Sequence, residues 1–470
     1  MSAERIDLRA LAAERPVHFM GVGGAGMCAL AELLLRHGGQ VSGCDAKDGD
    51  AMRSLERLGA SVRVGHDPEH VREASALVIT SAVPMDHPEV LAAREAGIPV
   101  VKRAKALGDW VSAGTLVAVA GTHGKTTTTA MATEILAEAG MNPTGLVGGR
   151  VPGWESNLRF GSEKLFVVEA DEYDRSFLTL TPDIAIITNV EADHLDIFGD
   201  FAGVRAAFAD FAAQTRGGGR VVVCADDHGA SSLLAGLGTP GYTYGTTAGS
   251  MLRATSVNVG ARVTSCEVYE EGRHVGALEL RVGGRHNLLN ALAAAGAARA
   301  LEAEWKDILR ALGAFTGVGR RFERLGESEG CVVVDDYAHH PTEVRATLST
   351  ARARFPEARM VAAFQPHLYS RTQDFATDFG SALALADVVW VTDVFPAREA
   401  PIPGVTGELI VAAARAAGAT EVHYHADVAT LADAVAPTLS AGDMLLTLGA
   451  GSIETVGRAV LSRLGETVHA

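Results

Sequence analysis

Leu116-Val117-Ala118-Val119-Ala120-Gly121-Thr122-His123-Gly124-Lys125-Thr126-Thr127-Thr128-Thr129 is the stretch that decides the fold. An apolar run delivers the chain to a glycine-rich turn, and a helical pattern follows as far as Gly140. A strand, a glycine loop and a helix in this order make a phosphate-binding unit, because the turn's N–H groups and the helix N-terminus concentrate positive field at one point. Lys125 adds a point charge, and Thr126 adds a hydroxyl of the kind that ligates the Mg2+ carried by ATP or GTP. Gly121 and Gly124 let the backbone approach with no Cβ in the way. Gly121, Thr122, His123, Gly124, Lys125, Thr126 and Thr127 are therefore the expected ATP-binding residues. The loop is shorter than the general formula, which puts glycine where this chain has Val119. A Gly-Lys-Thr in an ordinary surface turn is the plain alternative, and the flanking strand and helix weigh against it.

Working outward, Val17-His18-Phe19-Met20 leads into Gly21-Val22-Gly23-Gly24-Ala25-Gly26, then Met27, Leu30, Leu33 and Leu34 at helical spacing. This is strand, Gly-x-Gly-x-x-Gly, helix. A second strand near Gln40 to Gly43 ends at Asp45, the distance at which an acid meets a ribose hydroxyl in dinucleotide-binding folds. Gly21, Gly23, Gly24, Ala25, Gly26 and Asp45 suit either NAD or a UDP-sugar, since both carry a pyrophosphate and a ribose. Apolar runs at 77–79 and 98–101 extend a parallel sheet. The middle segment continues with strands at 165–168, 184–188 and 221–224, then an alternating pattern between Gly241 and Gly283 that predicts an antiparallel β insertion. A helix is expected over 288–301. After 315–319, which reads as an interdomain hinge, further strands at 331–334, 360–364, 388–392, 422–425 and 444–448 predict a third α/β unit. The expected fold is α/β with three domains, residues 1–112, 113–316 and 317–470, and such tandem units favour an enzyme that binds ligands between domains.

A chain of 470 residues is long enough for about three domains that each bury a core. The net charge of −16 argues against non-specific binding to nucleic acid or anionic membranes, which need a basic excess. Any anionic substrate must then be held by local positive groups. Cys28, Cys44, Cys224, Cys266 and Cys331 are scattered and form no Cys-x-x-Cys pair, which suits a reducing cytoplasm. Glu4, Arg5, Asp7, Arg9, Glu14 and Arg15 interrupt the first sixteen residues, so no signal core is expected. No apolar stretch has membrane-spanning length. Oligomeric state is not legible.

Two acidic turns follow strands of the middle segment. Leu165-Phe166-Val167-Val168 ends in Glu169-Ala170-Asp171-Glu172, at the carboxyl end of a sheet where ligands bind, and makes Glu169 a candidate Mg2+ ligand. Thr188-Asn189-Val190-Glu191-Ala192-Asp193-His194 leaves the next strand and offers His194 to a metal or a transferred phosphate. The alternatives are a solvated acidic turn and a structural histidine.

These motifs, with Gly284-Arg285-His286-Asn287-Leu288-Leu289-Asn290-Ala291, Gly319-Arg320-Arg321-Phe322-Glu323 and Asp335-Asp336-Tyr337-Ala338-His339-His340-Pro341-Thr342-Glu343, resemble the Mur ligases over essentially the whole chain. The resemblance implies an N-terminal Rossmann-like UDP-binding domain, a central P-loop ATPase domain and a C-terminal Rossmann-like domain. It also implies that Asn287 and Asn290 lie on the adenine side, that Arg321 contacts the nucleotide, and that Asp336 meets the ATP ribose. His340 and Arg371 are implied to face the sugar substrate. Gly21 to Met27, Gln365-Pro366-His367 and Val394-Phe395-Pro396-Ala397-Arg398-Glu399 resemble most the members that attach L-alanine to UDP-N-acetylmuramate. Two departures stand out. No lysine occurs from Glu191 to Gln214, so the modified lysine of several relatives is not expected, and Leu368 stands where many members carry arginine.

The activity so implied is ATP-dependent amide-bond formation between the lactyl carboxylate of UDP-N-acetylmuramate and L-alanine through an acyl phosphate. Lys125, Glu169 and His194 are the expected catalytic groups, Mg2+ is the expected cofactor, and Thr126, Glu169 and His194 are its expected ligands. A relative that adds a whole peptide to the same UDP-sugar is the alternative. A nucleotide-sensing binding protein is another, against which the intact Lys125, Thr126 and Glu169 speak.

Overall fold

The computed structural model describes residues 6–238 and 241–465. The outer ends of the expected first and third domains, residues 1–5 and 466–470, lie outside the described residues. The residues group into two units. One comprises Met1–Thr255, Glu267–Leu278 and Leu289–Phe315, the other Ser256–Cys266, Glu279–Leu288 and Thr316–Ala470.

The first unit contains one whole sheet and most of a second. β1 (Val17–Met20), β2 (Val41–Asp45), β3 (Ser61–Val64), β4 (Ala76–Ile79) and β5 (Val100–Lys102) form an all-parallel sheet in the order β3-β2-β1-β4-β5. Short apolar strands joined by helices are buried on both faces, which favours parallel pairing. Phe19, Val41, Ala76 and Val78 pack on one face with the helix Ala25–Arg36, while Met20, Cys44, Leu77 and Ile79 pack on the other. β3 escapes sequence reading because it is a largely exposed edge strand with Arg63 in it.

The second sheet is built from β6 (Thr115–Ala120), β7 (Thr144–Leu146), β8 (Leu158–Arg159), β9 (Leu165–Glu169), β10 (Ile184–Ile187), β11 (Arg220–Cys224) and β12 (Gly241–Gly245). It continues through β13 (Leu252–Val259), β14 (Thr264–Glu270) and β15 (Arg273–Leu280), and its order is β15-β14-β13-β12-β11-β10-β6-β9-β7-β8. The alternating segment after Gly241 is thus not a separate sheet. It prolongs the edge of the central one, and its first strand departs from the antiparallel expectation, because β12 pairs parallel with both β11 and β13. The short connections from β13 to β14 and from β14 to β15 make those pairs hairpins, which only antiparallel strands allow. The expected helix begins earlier than its apolar pattern, running Arg285–Ala300.

The register of the central sheet matters for function. β6 lies between β9 and β10, with Val119 opposite Glu169 and Ala120 opposite Ile187. Both acidic turns therefore leave the sheet beside the phosphate loop.

The second unit carries β16 (Glu323–Ser328), β17 (Cys331–Asp336), β18 (Arg359–Phe364), β19 (Val388–Val391), β20 (Glu421–Tyr424) and β21 (Asp443–Leu448) in the order β16-β17-β21-β18-β19-β20. Only β16 pairs antiparallel, as an edge strand. Among the described residues no helix is long and apolar enough to cross a membrane.

Candidate active site

The phosphate loop follows β6, as its sequence predicts. Gly121 has φ +143° and Gly124 φ +82°, and the helix Lys125–Glu138 starts at once. A Cβ on Gly121 would lie 1.8 Å from Thr188 Oγ1, and one on Gly124 would lie 2.4 Å from Asn290 Oδ1, so neither position accepts a larger residue unchanged. The same contact sets Asn290 against the loop.

The chain after β10 braces the turn. Asn189 accepts the Thr122 N–H on its carbonyl at 3.1 Å and the His123 N–H on Oδ1 at 2.8 Å. Asn189 Nδ2 and Thr188 Oγ1 both donate to the His123 carbonyl, and Thr122 Oγ1 accepts the Glu191 N–H at 2.9 Å. Two of the loop's N–H groups are consequently spent on Asn189. The N–H groups left for an anion are those at the start of the helix, which have no acceptor within the helix. Thr126 and Thr127 lie in that first turn and are buried. Asn189 received no role from the sequence. Its place directly after an apolar strand beside the loop was the available signal.

Lys125 Nζ donates to the carbonyls of Gly121 (2.7 Å) and Thr122 (3.2 Å) and meets both oxygens of Glu172 at 2.7 and 2.9 Å. Burial works against the ammonium, but Glu172, Asp171 and Glu169 outweigh it and hold the Lys125 pKa above its ordinary value. Burial pushes the Glu172 carboxyl up to about 7, with Lys125 opposing. Glu172, only 3% exposed, is thus the loop lysine's counter-ion, although its acidic turn had singled out Glu169 alone. Glu169 accepts the Thr126 hydroxyl at 2.9 Å on one oxygen and the Gly148 N–H at 2.5 Å on the other. Thr126 and Glu169 therefore offer a pair of hard oxygen donors of the sort Mg2+ prefers.

His194 sits in the left-handed region, φ +52°, where the Asp193 carboxylate accepts its N–H at 2.8 Å. Its Nε2 lies 3.8 Å from Glu172 Oε1, and its ring meets Tyr173 edge-on at 5.3 Å. Lys125 and His194 thus converge on one carboxylate.

In the first sheet, Gly21 turns with φ +80° and the Asp45 carboxylate accepts the Gly23 N–H at 2.9 Å, fixing the glycine turn. A Cβ on Gly26 would lie 2.8 Å from Arg103 Nη1, so a guanidinium is packed against the turn. Gly24, Ala25, Gly26 and Arg103 line a cavity of about 210 Å³ whose wall also includes Glu169 and Asp171. Arg103 is the kind of local positive group that an acidic protein needs to hold an anion. Its position in sequence, after β5, carried no motif.

In the second unit, Asp336 ends β17 and is buried, with both oxygens engaged. The N–H of Phe322 (2.8 Å) and the Thr347 hydroxyl (3.1 Å) donate to one, and the Ala338 N–H (2.8 Å) donates to the other. Burial raises its pKa to about 6, against the pull of Arg321. Arg321 pairs with Glu343 at 3.3 Å and lies 5.2 Å from the Tyr337 ring centre. Asn287 donates to the Gly283 carbonyl at 2.8 Å. His340 caps the helix Pro341–Arg354 and packs edge-on against Phe375. Arg371, also buried, approaches His367 at 3.4 Å, and His367 stacks on Phe395. Each of these side chains has a local structural role besides any ligand contact.

Family models match in series along the chain. "Mur ligase family, catalytic domain" covers residues 16–115, "Mur ligase middle domain" covers 119–298, and "Mur ligase, glutamate ligase domain" covers 320–451. The chain is 45% identical over 444 residues to the UDP-N-acetylmuramate–L-alanine ligase of Solidesulfovibrio magneticus, spanning 94% of this chain and 97% of the relative. The crystal structure of the UDP-N-acetylmuramate–alanine ligase of Thermotoga maritima superposes with a TM-score of 0.82 at 30% identity, covering 96% of this chain and 99% of that one. A murein peptide ligase from Psychrobacter arcticus gives a TM-score of 0.72 at 25% identity, covering 97% and 100%. With a braced phosphate loop, a glycine turn of its own in the first sheet and relatives that match nearly end to end, the chain belongs to the Mur ligase family.

Proposed function

We propose that this protein uses ATP to join L-alanine to the lactyl carboxylate of UDP-N-acetylmuramate, releasing ADP and phosphate. The observation that carries the reading is the cavity lined by both the Gly24–Gly26 turn and Glu169, the residues we assign to the UDP-sugar and to the triphosphate's metal. Similarity to the alanine ligases at 45% identity supports the choice of amino acid. We assign residues 1–112 to the UDP-sugar, 113–316 to ATP and 317–470 to a C-terminal domain, in a cytoplasmic enzyme.

A carboxylate is a poor electrophile. Transfer of the γ-phosphoryl group to it forms a C–O–P linkage and expels ADP; the alanine amine then attacks the acyl carbon, loses a proton and expels phosphate. The oxygen pair of Thr126 and Glu169 fits Mg2+, which when bound supplies positive charge to the phosphates. Lys125 stabilises charge on the transferring phosphoryl. As Lys125 turns from Glu172 to phosphate, Glu172 is left to His194, our candidate for contact with the acyl phosphate or a second metal. Gly21, Gly23, Arg103 and Asp45 hold the UDP moiety, while Asn287, Asn290, Arg321 and Asp336 serve the nucleotide and His340 and Arg371 the sugar acid.

The test is product identification by mass after incubation with ATP, UDP-N-acetylmuramate and mixed amino acids. A mass gain of one alanyl residue, with one phosphate released per product, supports the reading. The similarity to a murein peptide ligase favours a second arm, in which a muramyl tripeptide competes with alanine. Preferential capture of the tripeptide would replace our reading with that one.

A further inference from the structure

The second face of the first sheet carries a polar cluster to which the proposed reaction assigns no role. His18 from the middle of β1, Cys44 from β2, His70 from the turn Pro68–Val71 and Glu89 from the first turn of the helix Pro88–Glu95 place one donor atom each within 4.8 Å of one another. His18 Nε2 lies 3.4 Å from Cys44 Sγ. Cys44 Sγ lies 3.4 and 3.5 Å from the Glu89 oxygens, and His70 Nδ1 lies 3.2 Å from Glu89 Oε1. His66 stands beside them, with Nδ1 3.3 Å from Cys44 Sγ and 3.8 Å from Glu89 Oε2.

Three features distinguish this cluster from a hydrogen-bonded patch. The His18–Cys44, Cys44–Glu89 and His70–Glu89 separations of 3.2–3.5 Å suit a tetrahedral site, because Zn–N of about 2.0 Å and Zn–S of about 2.3 Å set neighbouring ligands roughly 3.3–3.6 Å apart. Glu89, Cys44 and His18 are buried, and among the described residues no lysine or arginine pairs with Glu89; its neighbours are His66, His70, the Cys44 thiol and the Asp67 N–H. A buried carboxylate surrounded by imidazoles, a thiol and one N–H suits a bound cation. Finally, Ser42 Oγ lies 2.9 Å from His18 Nδ1 and orients the ring so that Nε2 faces the sulfur, as outer partners of metal-bound histidines do. A surface depression of about 760 Å³, lined in part by His18, Ser42 and His70, gives an ion a way in.

We infer that His18, Cys44, His70 and Glu89 form a site for a divalent transition metal, Zn2+ by its mixed nitrogen, sulfur and oxygen donors, which clamps the segments after β3 and β4 onto β1 and β2. The site lies on the face opposite the helix Ala25–Arg36 and does not depend on which ligase reaction the protein performs. Binding converts the Cys44 thiol to a thiolate and releases its proton.

The test uses the full chain, stripped with a chelator and titrated with Co2+ and then Zn2+. One equivalent of Co2+ should bind with a sulfur-to-cobalt charge-transfer band and intense visible bands of a tetrahedral ion, and Zn2+ but not Mg2+ should displace it. Cys44→Ser should abolish the charge-transfer band. Ser42→Ala, which leaves all four ligands, should weaken binding by about 10- to 100-fold. Absence of stoichiometric Co2+ binding to the folded wild-type chain overturns the inference, as does a weak octahedral spectrum that Cys44→Ser leaves unchanged. Should Cys44→Ser not fold, the Ser42→Ala affinity decides, and an unaltered value counts against the site.

Discussion

Replacing Lys125 by methionine separates the lysine's part in stability from its part in chemistry. Glu172 is buried with the Lys125 ammonium against both oxygens. In the wild type the folded-state pKa of Glu172 is about 7, above the ordinary carboxyl value of 4.5. A raised folded pKa contributes stability that is fully present below the unfolded value and is lost as pH rises through the folded one, so this loss is complete soon above pH 7. Without the lysine the carboxyl rises further, toward the range of roughly 8–9 known for buried acids. Lys125→Met should therefore keep losing about 1.4 kcal/mol per pH unit between pH 7 and the new pKa, about 1.4–2.8 kcal/mol in all, where the wild type has levelled off. Lys125→Met with Glu172→Gln should be level again. Urea unfolding at half-unit steps of pH from 6 to 9 measures this, and ATP turnover should fall about a hundredfold or more in both variants at every pH. A Lys125→Met curve parallel to wild type above pH 7 refutes the pairing, and a double variant as steep as the single one assigns the slope to another group.

Glu169→Gln keeps the shape that accepts the Thr126 hydroxyl but removes the charge, so the Mg2+ concentration for half-maximal activity should rise about tenfold or more, as read from activity against Mg2+. Gly121→Ala sets a Cβ 1.8 Å from Thr188 and should cost several kcal/mol in urea unfolding, more than Gly124→Ala, whose added Cβ meets only the end of the Asn290 side chain. The Asp336 carboxyl, raised to about 6 from 3.8, contributes stability below pH 4 that is lost as pH rises through 6, about 3 kcal/mol in total. Asp336→Asn should remove that slope from the unfolding free energy between pH 4 and 6, and an unchanged slope rules out Asp336 as its source.

Apolar runs marked nearly every buried parallel strand, because a strand covered on both faces must be apolar throughout. They did not mark β3, exposed at an edge, or β7 and β8, which are too short for a pattern to emerge. The alternating stretch after Gly241 betrayed its strands by their period, but the period is local and cannot say which sheet receives them. That depended on Tyr244 and Gly245 pairing with Leu252 and Arg253.

The phosphate loop, the glycine turn and Glu169 were legible because their chemistry is local. Backbone conformation, a missing Cβ and a strand end are properties of consecutive residues. Glu172 as the partner of Lys125, Asn189 as the brace of the loop, and Arg103 against Gly26 join residues from different strands, and only the register of β9 and β10 on either side of β6 made the first two neighbours of the loop. The cluster of His18, Cys44, His70 and Glu89 is the extreme case. Its members are spread over some seventy positions with no motif spacing, and its one cysteine gives no pair to notice. Sequence by itself determined most of the buried strands, the helices that follow the two glycine turns, and the turns themselves, since those follow from periodicity and backbone freedom. Which charges meet, and which donors share a point in space, was decided by tertiary structure, because a parallel sheet aligns strand ends that the chain reaches only through long crossovers.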